Sequence, residues 1–147
     1  MKIRWANFPL PEAYLAGIVL GWGLDIFFPR KLFAFDQTGF SPGLPVMLIG
    51  LGLCVWSVIE AGRMEIAAPD ALLTGGPYGL SRNPMYLGWA LIQLGMAFLV
   101  NTAWLLAALV LAFGWIHFFE IPAEERLLEE QFGEDYRQYC QRVRRYL

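Results

Sequence analysis

The chain has 147 residues, of which 57% are hydrophobic and only 16% charged. Disorder requires the opposite balance. A nucleic-acid binder carries a basic excess, which eleven Lys and Arg against thirteen Asp and Glu do not provide. The single histidine excludes multi-histidine metal centres, and the two lone cysteines, Cys54 and Cys140, make neither a disulfide framework nor a zinc site. The composition points to one small all-α domain, 1–147, embedded in a membrane.

A membrane-crossing helix needs about 20 mostly apolar residues. Four stretches approach or meet this: 10–28, 43–61, 84–100 and 103–121. The first follows Lys2 and Arg4, as a signal peptide would. It is long, however, carries Asp25, and ends in Phe27-Phe28-Pro29-Arg30 instead of a small-residue cleavage site, so it reads as a retained helix. Glu12 and Asp25 lie near its ends, where they can snorkel into the headgroups. Gly17 and Gly21 in the first stretch, Gly50 and Gly52 in the second, and Gly88 and Gly95 in the third suit close helix packing. Glu60 and Arg63, three apart, are set to pair at the end of the second. The third is short and must tilt, extend or thin the bilayer; Gln93 within it is a candidate wall of a lateral entry route. Asn101-Thr102 leaves room only for a tight turn, so the third and fourth stretches form a hairpin. Pro122 is expected to kink or restart the helix. In the tail, 122–147, Leu127, Leu128, Phe132, Tyr136, Tyr139 and Val143 recur at helical spacing among charged residues. That pattern is an amphipathic helix, with Gly133 as a break point, able to lie on the bilayer or cap the bundle.

Four spans put both termini on one side. Nine of the eleven Lys and Arg then share that side: Lys2, Arg4, Arg63, Arg82, Arg126, Arg137, Arg142, Arg144 and Arg145. Only Arg30 and Lys31 lie opposite. Positive charge gathers on the cytoplasmic face, so both termini, the loop 62–83 and the tail are expected there.

Those two polar segments also carry the chemistry. In Gly75-Gly76-Pro77-Tyr78-Gly79-Leu80-Ser81-Arg82-Asn83-Pro84-Met85-Tyr86, Asn83 is a favoured N-cap and Pro84 a favoured first helical residue, while the glycines make turns. Starting a helix needs neither Arg82 nor the two tyrosines. An arginine beside a helix N-terminus suits a carboxylate or phosphate. At the other end of the hairpin, His117, Glu120 and Glu124 are spaced three and four apart and share one helical face. His117 reads as a hydrogen-bonded packing residue, and Glu124 and Glu125 complement a helix dipole. The hairpin makes the two ends neighbours. Arg82, the Asn83 amide, tyrosines and Glu120, Glu124 and Glu125 together suit a ligand with a carboxylate, an ammonium, a diol and a flat ring. No Walker A loop and no GxGxxG fingerprint is present.

The stretch Gly76-Pro77-Tyr78, Ser81-Arg82-Asn83-Pro84-Met85-Tyr86-Leu87-Gly88, then Gly95, then Glu124-Glu125-Arg126-Leu127-Leu128, then Phe132-Gly133-Glu134-Asp135-Tyr136-Arg137-Gln138-Tyr139 and Arg142-Val143 resembles the isoprenylcysteine carboxyl methyltransferase family and the related phospholipid N-methyltransferases. The likeness covers about the C-terminal half. It implies an integral membrane enzyme using S-adenosylmethionine, with Tyr78, Arg82, Asn83, Pro84, Tyr86, Glu124 and Glu125 around the cofactor. Asn83 stands where eukaryotic members have histidine, and asparagine cannot titrate near neutral pH. The implied acceptor is amphiphilic or lipidic: a prenylated cysteine carboxylate or a lipid amine, reached from the membrane. Glu120 and Arg126 are the candidate catalytic residues. The partners implied are membrane lipids and that acceptor, with no nucleic acid and no metal. The competing reading is a non-catalytic four-helix membrane protein whose motifs cap the bundle.

Overall fold

The computed structural model describes residues 11–34, 38, 40–62 and 72–147. Lys2, Arg4 and Arg63, three of the cations in the orientation argument, lie outside the described residues, and so does the Arg63 side of the expected pair with Glu60. Among the described residues all regular structure is helical. The order is α1 (Glu12–Phe27), α2 (Phe40–Ala61), a 3₁₀ turn (Gly76–Gly79), α3 (Pro84–Val100), α4 (Ala103–Trp115), a π-helical turn (Ile116–Glu120), α5 (Ile121–Phe132) and α6 (Glu134–Arg142). The first three apolar stretches of the sequence thus become helices with ends shifted by only a few residues, and the fourth continues through the π turn to Phe132. α2 and the continuous helix Ala103–Phe132 are each long and apolar enough to cross a membrane, while α3 is apolar but shorter.

Small residues set the packing. α2 runs along α3, α1 runs along α4, and the α3–α4 hairpin joins the two pairs. Gly43 and Gly50 of α2 are seven apart, as are Gly88 and Gly95 of α3, so the two pairs meet in register. A Cβ on Gly50 would lie 2.6 Å from the Gly88 carbonyl oxygen, and one on Gly95 2.7 Å from that of Gly43. Gly21 brings α1 onto the Leu105 backbone, and Gly17 faces Gln93 and Ala108. Gly52, expected in a contact, has open space where its Cβ would be. Gly43 holds that place instead, because it shares a face with Gly50.

With small residues inside, large ones point out. Val19, Ile26, Ile49, Val110, Leu111 and Phe118 are each at least 63% exposed. Soluble monomers rarely leave so much contiguous apolar surface bare; lipid tails are its natural solvent.

Two polar expectations change in the structure. Gln93 is fully buried and its Nε2 donates to the Leu105 carbonyl at 3.2 Å. It ties α3 to α4 and walls no lateral route. Asp25 does not simply snorkel: its Oδ1 accepts from the Thr102 hydroxyl at 2.7 Å. That hydroxyl in turn caps α4, accepting from the Trp104 N–H at 3.3 Å. Asn101 takes a left-handed conformation (φ 56°) and grips the loop after α1, accepting from Leu32 and Phe33 N–H and donating to the Phe33 carbonyl. Pro122 does not restart the helix. The π turn directly before it absorbs the lost backbone donor, and the helix runs on to Phe132. Gly133 (φ 52°) does break the tail, into α5 and α6.

Candidate functional site

The site begins where α2 ends. Gly76 (φ 55°) opens the 3₁₀ turn, and a Cβ there would come within 3.2 Å of the Glu60 carboxyl and of Trp56 Nε1. Glycine therefore lets the loop close onto α2, and the Glu60 carboxylate lies against this turn. From the other side, Tyr139 of α6 donates its hydroxyl to the Tyr78 carbonyl at 2.6 Å. Pro84 then starts α3 at its first turn, as proline's fixed φ favours.

Between this start and α5 lies a cleft of about 100 Å³, lined by Pro11, Tyr78, Arg82, Asn83, Pro84, Met85, Tyr86 and Glu124. Six of the seven residues expected around a cofactor share that wall. The Tyr86 hydroxyl donates to Glu124 Oε1 at 2.6 Å, with Glu120 beside the same hydroxyl. The seventh, Glu125, stands behind the wall. Its carboxylate meets Arg82 Nη1 at 3.2 Å and is gripped by Arg145 through Nε at 3.1 Å and Nη2 at 2.6 Å. Arg82 Nη1 also points at Cys140 Sγ, while Arg82 Nε is buried with no hydrogen-bond partner.

Asn83 does not cap α3 with its side chain. Its Nδ2 instead donates to the Arg145 carbonyl at 3.1 Å, as does the Ser81 hydroxyl at 3.2 Å, and the Arg82 N–H donates to the Arg144 carbonyl at 3.0 Å. Residues 143–146 thus lie as a strap along 81–83. The strap ends at Tyr146, whose hydroxyl is 2.7 Å from His117 Nδ1, and the His117 ring stacks between Phe113 and Tyr146. His117 is a partnered packing residue. Arg126, a catalytic candidate from the sequence, turns its Nε onto the Pro122 carbonyl of its own helix, is exposed, and lines no part of the cleft. Glu120, the other candidate, lies beside the Tyr86 hydroxyl and is likewise not among the residues lining the cleft.

Burial pushes the Tyr78 hydroxyl up to about 12, helped by the nearby charge of Glu124, and pushes Tyr139 up to about 12 against the opposing pull of Arg82. Both stay protonated at physiological pH. They can donate hydrogen bonds and present ring faces, but they cannot act as bases. The cleft wall therefore carries a guanidinium, a carboxylate and aromatic rings, which is machinery for binding and orienting a zwitterionic ligand. Among the described residues no three His, Cys, Asp or Glu side chains converge as a metal-binding group would.

Sequence reasoning missed Arg145 and Cys140, and it quoted Ser81 and Met85 within the motif without giving either a role. Arg145 was legible only as one more tail cation, and nothing in local spacing links it to Glu125, twenty residues earlier.

A family profile described as phospholipid methyltransferase matches residues 40–135. The chain is 31% identical to protein-S-isoprenylcysteine O-methyltransferase of Tribolium castaneum over 128 residues, covering 74% of this chain and 45% of that protein. It is 32% identical over 115 residues to the cobalt-zinc-cadmium resistance protein CzcN of Cupriavidus metallidurans, covering 74% and 51%. It is 34% identical over 110 residues to protein-S-isoprenylcysteine O-methyltransferase B of Arabidopsis thaliana, covering 69% and 55%. The chain spans about half the length of the curated relatives it matches.

Proposed function

The chain belongs to the phospholipid methyltransferase family, and from that premise we propose that it is an integral membrane enzyme moving a methyl group from S-adenosylmethionine to an amphiphilic acceptor. The observation that carries this reading is the cleft itself. It joins an arginine with a buried, unpartnered Nε to a carboxylate, Glu124, and to the rings of Tyr78 and Tyr86. Those groups answer the carboxylate, the ammonium or ribose hydroxyls, and the base of S-adenosylmethionine, respectively. Small-molecule sites span roughly 300–1,000 Å³. A cleft of about 100 Å³ matches the amino-acid end of that molecule.

Bound S-adenosylmethionine supplies an electrophilic methyl group on a sulfonium. The residues of the chain hold and orient. Arg82 fixes the ligand's carboxylate, and Tyr86 locks Glu124 in one rotamer through the 2.6 Å hydrogen bond. The tightly packed α3–α4 hairpin keeps the two half-sites in register. Such a displacement needs alignment and partial exclusion of water more than covalent help. An acceptor carboxylate needs no base. An acceptor amine must lose a proton, and in this reading Glu120, beside Tyr86, takes it.

In this reading α1 to α4 are four membrane spans that alternate in direction, with the site near the end of α2, the start of α3 and the helix that continues into α5. The site, both termini and most Lys and Arg then share the cytoplasmic face of a prokaryotic cell membrane. The acceptor enters laterally, as a prenylated cysteine carboxylate or a lipid amine; relatives carry the name of the first chemistry and the family that of the second. The test is transfer of labelled methyl from S-adenosylmethionine to a farnesylcysteine derivative and, separately, to phosphatidylethanolamine in vesicles holding the protein. Label in either product supports the reading. Folded protein that labels neither and binds no S-adenosylmethionine overturns it.

A further inference from the structure

Glu125 sits between two guanidinium groups that hold it differently. Arg145 takes both carboxylate oxygens, Nε on Oε1 at 3.1 Å and Nη2 on Oε2 at 2.6 Å. Arg82 reaches only Oε1, through Nη1 at 3.2 Å. Two-pronged arginine–carboxylate contacts are the stronger and more directional kind. The trio carries two positive charges against one negative, and its side chains are only 16%, 19% and 30% exposed for Arg82, Glu125 and Arg145. A surplus charge in so screened a place is unfavourable unless an anion completes it. The surplus lies towards the cleft, because Arg82 lines it and Arg145 does not.

We propose that Arg145 is a positioning residue: by gripping Glu125 with both prongs it confines Arg82 to a single contact with that carboxylate and leaves the Arg82 guanidinium only partly neutralised in the cleft wall, available to a ligand carboxylate. Without the Arg145 side chain, Glu125 is free to take Arg82 two-pronged. The pair is then neutral, and the guanidinium has less charge and fewer free donors to give the ligand. The strap does not depend on that side chain for its seat, since Ser81, Arg82 and Asn83 bond to the Arg144 and Arg145 backbone carbonyls. The inference rests on the S-adenosylmethionine reading above.

The experiment titrates detergent-purified protein with S-adenosylmethionine and with decarboxylated S-adenosylmethionine, which keeps the sulfonium and nucleoside but lacks the carboxylate. Thermal unfolding of each variant is followed in parallel. The wild type should prefer the carboxylate form. Arg145→Met should weaken that form by about tenfold or more while the decarboxylated form stays within about twofold. Arg145→Lys, a cation without the planar fork, should recover only part of the loss. Adding Glu125→Gln to Arg145→Met should restore binding of the carboxylate form, because Arg82 is again left unneutralised. A merely structural Arg145 predicts equal losses for both ligands and no rescue by the second substitution, and that result overturns the inference. Equal affinity of the wild type for both ligands overturns it while leaving the cofactor reading standing. A wild type that binds neither overturns both.

Discussion

Replacing Gly50 by alanine tests whether the helix packing holds the site. The new Cβ would stand 2.6 Å from the Gly88 carbonyl oxygen and 2.8 Å from the Ile92 nitrogen. Ordinary carbon contacts begin at about 3.4 Å, so α2 and α3 must part by most of an ångström. Both neighbours are backbone atoms and cannot rotate away. Forced overpacking of this kind costs about 1–3 kcal/mol. Gly52→Ala is the internal control: it lies on the same helix, two residues on, and its Cβ meets nothing within 4 Å. Both variants gain alanine's helix propensity of about 1 kcal/mol, so their difference isolates the steric term. At roughly 2–4 °C per kcal/mol for a chain of this size, Gly50→Ala should melt several degrees below Gly52→Ala in detergent. Gly88 lies two residues after Tyr86, so the same shift reaches the cleft. A misplacement near 1 Å can cost about a hundredfold in a positioned reaction, and methyl transfer should fall further than stability alone explains. Equal melting of the two variants would refute the packing argument.

Asn101→Ala removes three hydrogen bonds to the loop after α1 and forces a left-handed φ on alanine. The expected loss is about 2–4 kcal/mol, read by thermal unfolding, and Asn101→Gly should recover about 1 kcal/mol of it. Tyr78 and Tyr139 have folded pKa values of about 12 against about 10 for the unfolded chain. The folded state thus holds their protons more tightly. The stability this gives is complete below pH about 10 and is lost as pH rises towards 12. Tyrosinate absorbance and helix loss should rise together in that window, and Tyr139→Phe should flatten the dependence; tyrosines titrating near 10 with helices intact would contradict it. Arg126→Ala should leave S-adenosylmethionine affinity and stability within about 0.5 kcal/mol, since the side chain only folds back on the Pro122 carbonyl. A large loss of affinity there would return Arg126 to the site.

What the sequence reveals well here is periodic or local. Apolar length gives the helices, Asn101-Thr102 gives the hairpin, Gly133 gives the tail break, and Gly88 with Gly95 gives the α3 face that meets α2. The hairpin argument also suffices to bring Arg82, Tyr86 and Glu124 together, because two ends of one hairpin must be neighbours. The rest depends on contacts between distant segments. Asn83 has the chemistry of an N-cap, yet its side chain does not cap α3 and its amide instead donates to the Arg145 carbonyl, sixty-two residues on. Gln93 reads as a lining residue because a lone polar group in a span has no local partner, and its partner, the Leu105 carbonyl, lies on the next helix. The π turn has no composition signature beyond Pro122, which reads equally as a kink. Gly43 and Gly52 are indistinguishable until the face of α2 that meets α3 is known.

The central claim is that S-adenosylmethionine binds between the start of α3 and α5. Calorimetric titration of the detergent-purified protein, with Arg82→Ala and Glu124→Gln beside it, tests this most directly. The account predicts saturable binding by the wild type and a loss of about 1.5–3 kcal/mol, roughly ten- to hundredfold in affinity, in each variant. Folded wild type with no saturable binding in native lipid, or variants that bind as the wild type does, would contradict it.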